Sequence, residues 1–276
     1  MQYARISTVL VVLTVVLAGC SGGGLTDGGD SGANSADTPG TDASATDGAT
    51  VGTATAGGPP TGESLSLTDA DTRLREAGSF ATEWSYTVTE ADGETSSLTQ
   101  RYRVDLEENR SLQRFQTTGP DSSLDVDTFV ADGTSYTRYG DGDQVQYVSS
   151  DQPASVFETA TGRASGFTAD LESDASFVGT ETYDGVTVSR YEYDNTAAWQ
   201  DYGGSLFGSE DVSVTEFTVT VLVDRDGIAR LTMWTLSGEA DDGTAVSADR
   251  RYSVTDIGST AVADPDWLAD AQAQQA

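Results

Sequence analysis

Few side chains in this sequence have the types and spacing for chemistry. Cys20 is the single cysteine among 276 residues and directly follows the small pair Ala18-Gly19. One thiol excludes an intrachain disulfide. The chain has no histidine, and all 14 basic residues are arginine. Ser-His-Asp, Cys-His and His-metal chemistry are therefore absent, as are the lysine-dependent Schiff-base and Ser-Lys mechanisms. Carboxylates are plentiful, so glycosidase-like acid–base work survives the inventory, but nothing in the sequence brings two acids to one cleft. Asp224-Arg225-Asp226-Gly227 and Asp141-Gly142-Asp143 carry part of a calcium loop's acid spacing. Both lack the full ligand set and its closing bidentate Glu, and read as hairpin turns. Asn109-Arg110-Ser111 is an N-glycosylation sequon in an expected turn. The expectation is a non-enzyme with no catalytic residues, no cofactor and no metal site.

The setting of Cys20 is more informative. Met1 to Arg5 is a short, weakly basic start, and Ile6 to Ala18 is an uncharged, mostly aliphatic run. At about 13 residues that run has the length of a signal-peptide apolar region and is too short for a membrane span. The order Leu17-Ala18-Gly19-Cys20 resembles the lipobox of bacterial and archaeal lipoproteins. The resemblance implies a signal peptide over 1–19, cleavage before Cys20, and a diacylglycerol-type lipid on its sulfur. Two acyl chains hold a protein stably at a membrane, at about 0.8 kcal/mol per buried methylene. No later stretch approaches 18 consecutive apolar residues, so the rest is expected outside the cytoplasm. The implied place is the outer face of the cytoplasmic membrane. No Arg-Arg pair precedes the cysteine, which favours the general secretory route over twin-arginine export.

Charge bounds the partners. Without residues 1–19 the chain has 13 arginines against 45 acids, a net charge of −32. Self-repulsion of that size opposes a compact fold at low salt. Near 1 M salt the Debye length falls to about 3 Å and most of it is screened. Abundant acids, absent lysine and high Ala, Thr, Gly and Asp resemble proteins of salt-loving archaea. With no basic patch in the sequence, nucleic acid is not an expected partner.

Residues 20–64 consist almost wholly of Gly, Thr, Ala, Ser, Asp and Pro. They bury too little to repay ordering and read as a disordered tether of roughly 35 Å root-mean-square span. A β-rich globular domain is expected over 65–268, followed by a polar tail over 269–276. The domain opens with one short helix. Thr68 is its cap, Asp69 and Asp71 suit its positive end, and Leu67, Ala70, Leu74 and Ala77 form its apolar stripe. The period then changes to two. Phe80, Thr82, Trp84, Tyr86 and Val88 share one face of a strand, and similar runs follow to Tyr193 and again from Val212 to Thr255. Asp-Gly pairs at Asp92, Asp132, Asp141, Asp184, Asp226 and Asp242 mark hairpins, read as type I′ turns with positive φ. Two interruptions, 153–171 and 195–209, break the meander. The first suits a short helix started by Pro153. The second, with Trp199, Tyr202 and Phe207, suits a loop or lid.

The predicted class is α+β, mostly antiparallel. A strongly curved meander sheet forms an open half-barrel, with the N-terminal helix and one or two short helices on its concave face. The closing order, strand, Asp226-Gly227, strand, hairpin, strand, Pro265-x-Trp267, resembles the LolA/LppX-type lipoprotein superfamily. That resemblance implies an apolar cavity between sheet and helices that receives acyl chains. The residues expected to line it are Trp84, Tyr86, Tyr102, Phe129, Tyr136, Phe157, Phe177, Trp234 and Tyr252. The leading expectation is a membrane-anchored protein that binds a lipid or other apolar ligand. The alternatives are an envelope interaction protein with a filled core, and a carboxylate-based hydrolase.

Overall fold

The computed structural model describes residues 65, 67, 70–120, 122–140, 145–152, 155–163, 174–194, 196, 212–240 and 242–274. The chain divides into units Met1–Ala56 and Gly57–Ala276, and every described residue belongs to the second. The signal segment, Cys20, the tether, Thr68, Asp69, Asp141-Gly142, Pro153, Trp199, Tyr202 and Phe207 lie outside the described residues.

Helix α1 (Ala70–Ala77) ends at Gly78, whose φ of 74° stops the helix and turns the chain into β1. Eleven strands follow. They are β1 (Ser79–Thr89), β2 (Thr95–Asp105), β3 (Arg110–Thr118), β4 (Ser123–Ala131), β5 (Thr134–Tyr139), β6 (Gln146–Asp151), β7 (Ser176–Tyr183), β8 (Val186–Asp194), β9 (Val212–Asp224), β10 (Ala229–Ala240) and β11 (Ala245–Thr255). Helix α2 (Val156–Thr161) lies between β6 and β7, and α3 (Leu268–Ala273) ends the fold. All pairs are antiparallel, in the order β6-β5-β4-β3-β2-β1-β11-β10-β9-β8-β7. The first and last strands thus meet in mid-sheet, and β6 and β7 are the two edges. The result is a single open, curved, half-barrel sheet, the predicted class.

The Asp-Gly turns are of two kinds. At Asp132-Gly133 and Asp184-Gly185 both residues have positive φ, as type I′ requires. At Gly93, Gly227 and Gly243 only the glycine does. There the glycine N–H donates three residues back, to Glu90, Asp224 and Ala240 at 2.9, 3.1 and 2.8 Å. These are type I turns closed by a glycine bulge, a correction to the uniform type I′ expectation. The aspartates at 92 and 242 instead accept the N–H two residues on, from Glu94 and Thr244.

Alternation sends one residue set to each face. On the inner face β1 presents Phe80, Thr82, Trp84, Tyr86 and Val88, opposite Val254, Tyr252, Arg250 and Ala248 of β11. Two buried clusters lie on this face. One gathers Phe80, Tyr102, Val104, Tyr252 and Val254 with Leu74 of α1 and Val156, Phe157 and Ala160 of α2. Phe157 meets Phe80 edge to face at 5.7 Å, the Arg75 guanidinium lies 3.6 Å over its ring, and Thr82 donates to the Ala160 carbonyl at 3.2 Å. The other cluster gathers Val88, Tyr191, Phe217, Val219, Trp234 and Leu236 with Leu65. The C-terminus departs from the expected polar tail. Residues 268–273 are helical, and Ala271 is buried.

Candidate functional site

The two inner clusters meet at a seam formed by Trp84 and Tyr86. Trp84 packs against the helix-bearing cluster and Tyr86 against the other. Their rings stack at 6.5 Å and 12°, although they are two apart on one strand. Tyr86 then meets Trp234 edge to face at 6.0 Å, and Trp234 tilts on Phe217 at 6.3 Å. One aromatic strip therefore runs from β1 across β11 to β10 and β9.

The strip is apolar in its rings and polar in its atoms. Trp84 Nε1, the Tyr86 hydroxyl and Gln100 Oε1 are buried, and none has a hydrogen-bond partner among the described residues. Gln100 stands directly opposite Trp84 on β2 and donates its amide to the Tyr102 hydroxyl at 2.6 Å. Buried polar groups are nearly always paired, so three such atoms around one indole leave both a donor and an acceptor unused. Desolvation pushes the Tyr86 hydroxyl up to about 12. Burial raises Tyr252 as well, with smaller contributions from Asp71 and Tyr102. Two guanidinium groups lie over Trp84, Arg163 at 5.3 Å and Arg250 at 6.0 Å from its ring. Arg250 also donates to the Arg163 carbonyl at 2.9 Å. Desolvation, then repulsion from Arg163, holds the Arg250 guanidinium below its usual range.

Of the nine residues expected to line the cavity, Trp84, Tyr86, Tyr102, Phe177, Trp234 and Tyr252 share the inner face by register. Phe157 reaches it from α2 and is fully buried there. Phe129 and Tyr136 do not belong with them. The register places both with Leu112 and Arg103 on the outer face, one residue out of phase with the inner row Val104-Ser111-Val130-Ser135. A one-residue offset reverses the face, and no marker in the aromatic spacing reveals it. Phe129 is nonetheless fully buried, beneath the Arg110 guanidinium.

Gln100, Arg163 and Arg250 were missed as site residues. Gln100 lies between Leu98 and Tyr102, and Arg250 between Ala248 and Tyr252, so each is a polar residue at an inner position of an alternating strand. That misfit was a readable signal. Arg163 follows α2, where no periodicity marks it. Asn109, in the β2–β3 turn, is exposed with φ of 50°. Among the described residues no three His, Cys, Asp or Glu side chains converge to hold a metal. Asp224 of the calcium-like stretch serves the β9–β10 turn and Arg230 instead.

The outer face carries a second feature. A C-terminal arm, residues 261–273, lies against β2–β6 and is held by the Arg110–Asp264 ion pair and by Trp267, stacked on Tyr147 at 6.0 Å. A cavity of about 750 Å³ lies beneath it, lined by Arg103, Arg114, Asp127, Arg138, Tyr147 and the arm.

The model of a family described as "Family of unknown function (DUF7537)" matches residues 5–271. No curated protein matches the chain. Among solved structures, LprF from Mycobacterium bovis is similar at 13% identity and a TM-score of 0.35, over 73% of this chain and 98% of that one. A LolA superfamily protein from Nitrosomonas europaea is similar at 11% identity and a TM-score of 0.22, over 73% and 97%. A beta-barrel-like protein from Brucella abortus is similar at 8% identity and a TM-score of 0.21, over 64% and 98%.

Proposed function

The chain belongs to the DUF7537 family, which brings no activity to inherit, and from its geometry we propose a non-enzymatic binding protein for an amphiphilic, lipid-like ligand. The observation that carries this is the seam at Trp84 and Tyr86. Rings that offer an apolar wall also hold an unused indole donor and an unused amide acceptor. An acyl or isoprenoid body suits the strip from Trp84 to Phe217. An ester carbonyl or hydroxyl at its polar end suits Trp84 Nε1 and Gln100 Oε1, and a negatively charged head group is favoured beside Arg163 and Arg250. Anchoring by a lipid on Cys20, with the domain outside the cytoplasm, completes the proposal and rests on the Leu17-Ala18-Gly19-Cys20 motif.

Quenching of tryptophan fluorescence by a brominated fatty acid tests the seam. Trp84→Leu should bind it at least about tenfold more weakly at unchanged circular dichroism. Equal affinity would move the ligand elsewhere. Cys20→Ser should release the protein from membranes, and continued retention would count against the lipid anchor.

A second reading has its own observation. Among the described residues the large apolar side chains left exposed are Val148 at 54% and Val178 at 55%, one on each edge strand of the sheet, and Tyr139 on the neighbouring β5. Open edges with exposed valines are where another chain would add a strand. An interaction protein with a filled core is therefore the alternative.

A further inference from the structure

The arginines of this acidic chain are scattered in sequence but not in space. Strand register aligns Glu83, Arg101, Arg114, Asp127, Arg138 and Tyr147 as directly opposed neighbours, one per strand from β1 to β6, on the outer face. Asp127 is buried and shared, accepting from Arg114 at 2.9 Å and from Arg138 at 3.5 Å. The Arg114 guanidinium has five N–H donors and gives Asp127 those of Nε and Nη2, so it keeps donors beyond that carboxylate. Arg103, in the adjacent row, makes no ion pair with any described residue and opens into the cavity beneath the arm. The arm adds Asp264, which pairs with Arg110, and the exposed Asp266 and Asp270, and the stacked Tyr147 and Trp267 rings also line the cavity.

We propose that this groove is a binding site for a saccharide unit bearing a carboxylate, such as a uronic acid residue of a surface glycan. The site is separate from the inner-face seam and does not depend on it. Arginine donors and aspartate acceptors together suit a ring of hydroxyls, each of which both donates and accepts. The aromatic rings of Tyr147 and Trp267 suit the C–H face of a sugar ring. An acyl chain is disfavoured, because seven of the fifteen lining residues are charged, three arginines and four aspartates. A bare polyanion is disfavoured by the three aspartates of the arm. One carboxylate finds its place at Arg103, the one lining guanidinium without a carboxylate partner among the described residues. A volume near 750 Å³ lies within the range of small-molecule sites.

The test is calorimetric titration of the Cys20→Ser full chain with tetragalacturonic acid, with maltotetraose as neutral control and acetate as simple-anion control. The acidic tetrasaccharide should bind. Arg103→Gln and Asp266→Asn, both at exposed positions, should each weaken it by about fivefold or more with unchanged circular dichroism. Maltotetraose should bind about fivefold more weakly to the parent chain and be insensitive to Arg103→Gln. No binding of the acidic tetrasaccharide at about 10 mM would overturn the proposal. So would full competition by acetate, which would mean a simple anion site. Equal binding of both saccharides with no effect of Arg103→Gln would overturn it as well.

Discussion

Arg230 Nε donates to Asp224 Oδ2 at 2.8 Å, with the two side chains only 12% and 3% exposed. The other oxygen, Oδ1, accepts the backbone N–H groups of Asp226 and Ile228 at 2.9 and 3.0 Å. One carboxylate therefore both shapes the β9–β10 turn and neutralises a buried guanidinium that reaches the Val254 carbonyl of β11. Asp224→Ala removes three acceptor contacts and strands the arginine. The expected loss is about 3–5 kcal/mol in a denaturant melt. Asp224→Ala/Arg230→Met should recover part of it, because the unpaired charge is gone. Equal destabilisation of single and double variants would contradict this account of the pair.

The β9–β10 ladder slips by one residue between Ser237 and Gly238. A Cβ at Gly238 would lie 2.9 Å from the Ser213 carbonyl oxygen and 3.0 Å from Val212 Cγ1, while one at Gly179 would meet nothing within 4 Å. Gly238→Ala should cost about 1–3 kcal/mol by overpacking. Gly179→Ala, in a β7 bulge, should be neutral or stabilise by up to about 1 kcal/mol through the unfolded chain. Thermal melts of the two variants side by side check this, and equal shifts would be the contrary result.

Tyr86 gives a pH dependence with a definite sign. Its hydroxyl titrates near 10 when exposed and is pushed up to about 12 by burial in the fold. Above pH 10 the unfolded tyrosine loses its proton while the folded one keeps it. The folded state then binds more protons, so stability falls as pH rises through this window and levels off above 12. The contribution is about 2 kcal/mol, below the full two-unit conversion because part of the ring stays solvated. Tyr86→Phe should be close to neutral at pH 7, since the hydroxyl has no partner to lose. It should show a shallower loss of stability than the parent between pH 10 and 12. Parallel stability curves for parent and variant would contradict the assignment.

Much of the architecture was legible in the sequence, for identifiable reasons. Period-two runs such as Phe80 to Val88 and the Asp-Gly punctuation mark strands and hairpins directly, because alternation and positive φ are local properties. Which strands neighbour each other across the chain is not local. The pairing of β1 with β11 depends on the closing of the whole meander. The phase of β4 and β5 is also non-local, so Phe129 and Tyr136 looked equivalent to Trp84 and Tyr102 until register put them on the other face. The C-terminal helix was hidden by its composition, since Leu268 to Ala273 reads as polar Ala/Gln/Asp sequence with a single buried contact at Ala271. The outer arginine row could not be seen at all. Its arginines, Arg101, Arg114 and Arg138, lie 13 and 24 residues apart along the chain and are aligned only through strand pairing.

The central claim is that the inner face holds an amphiphilic ligand at Trp84 and Tyr86. Native mass spectrometry with organic extraction tests it most directly. The chain would carry Cys20→Ser, be exported by its natural host and be purified in high salt. The account predicts a lipid-like molecule bound one to one, extractable into organic solvent and lost from the Trp84→Leu variant. A clean mass of protein alone, with no uptake when host lipids are added back, would contradict it and favour the interaction role at the sheet edges.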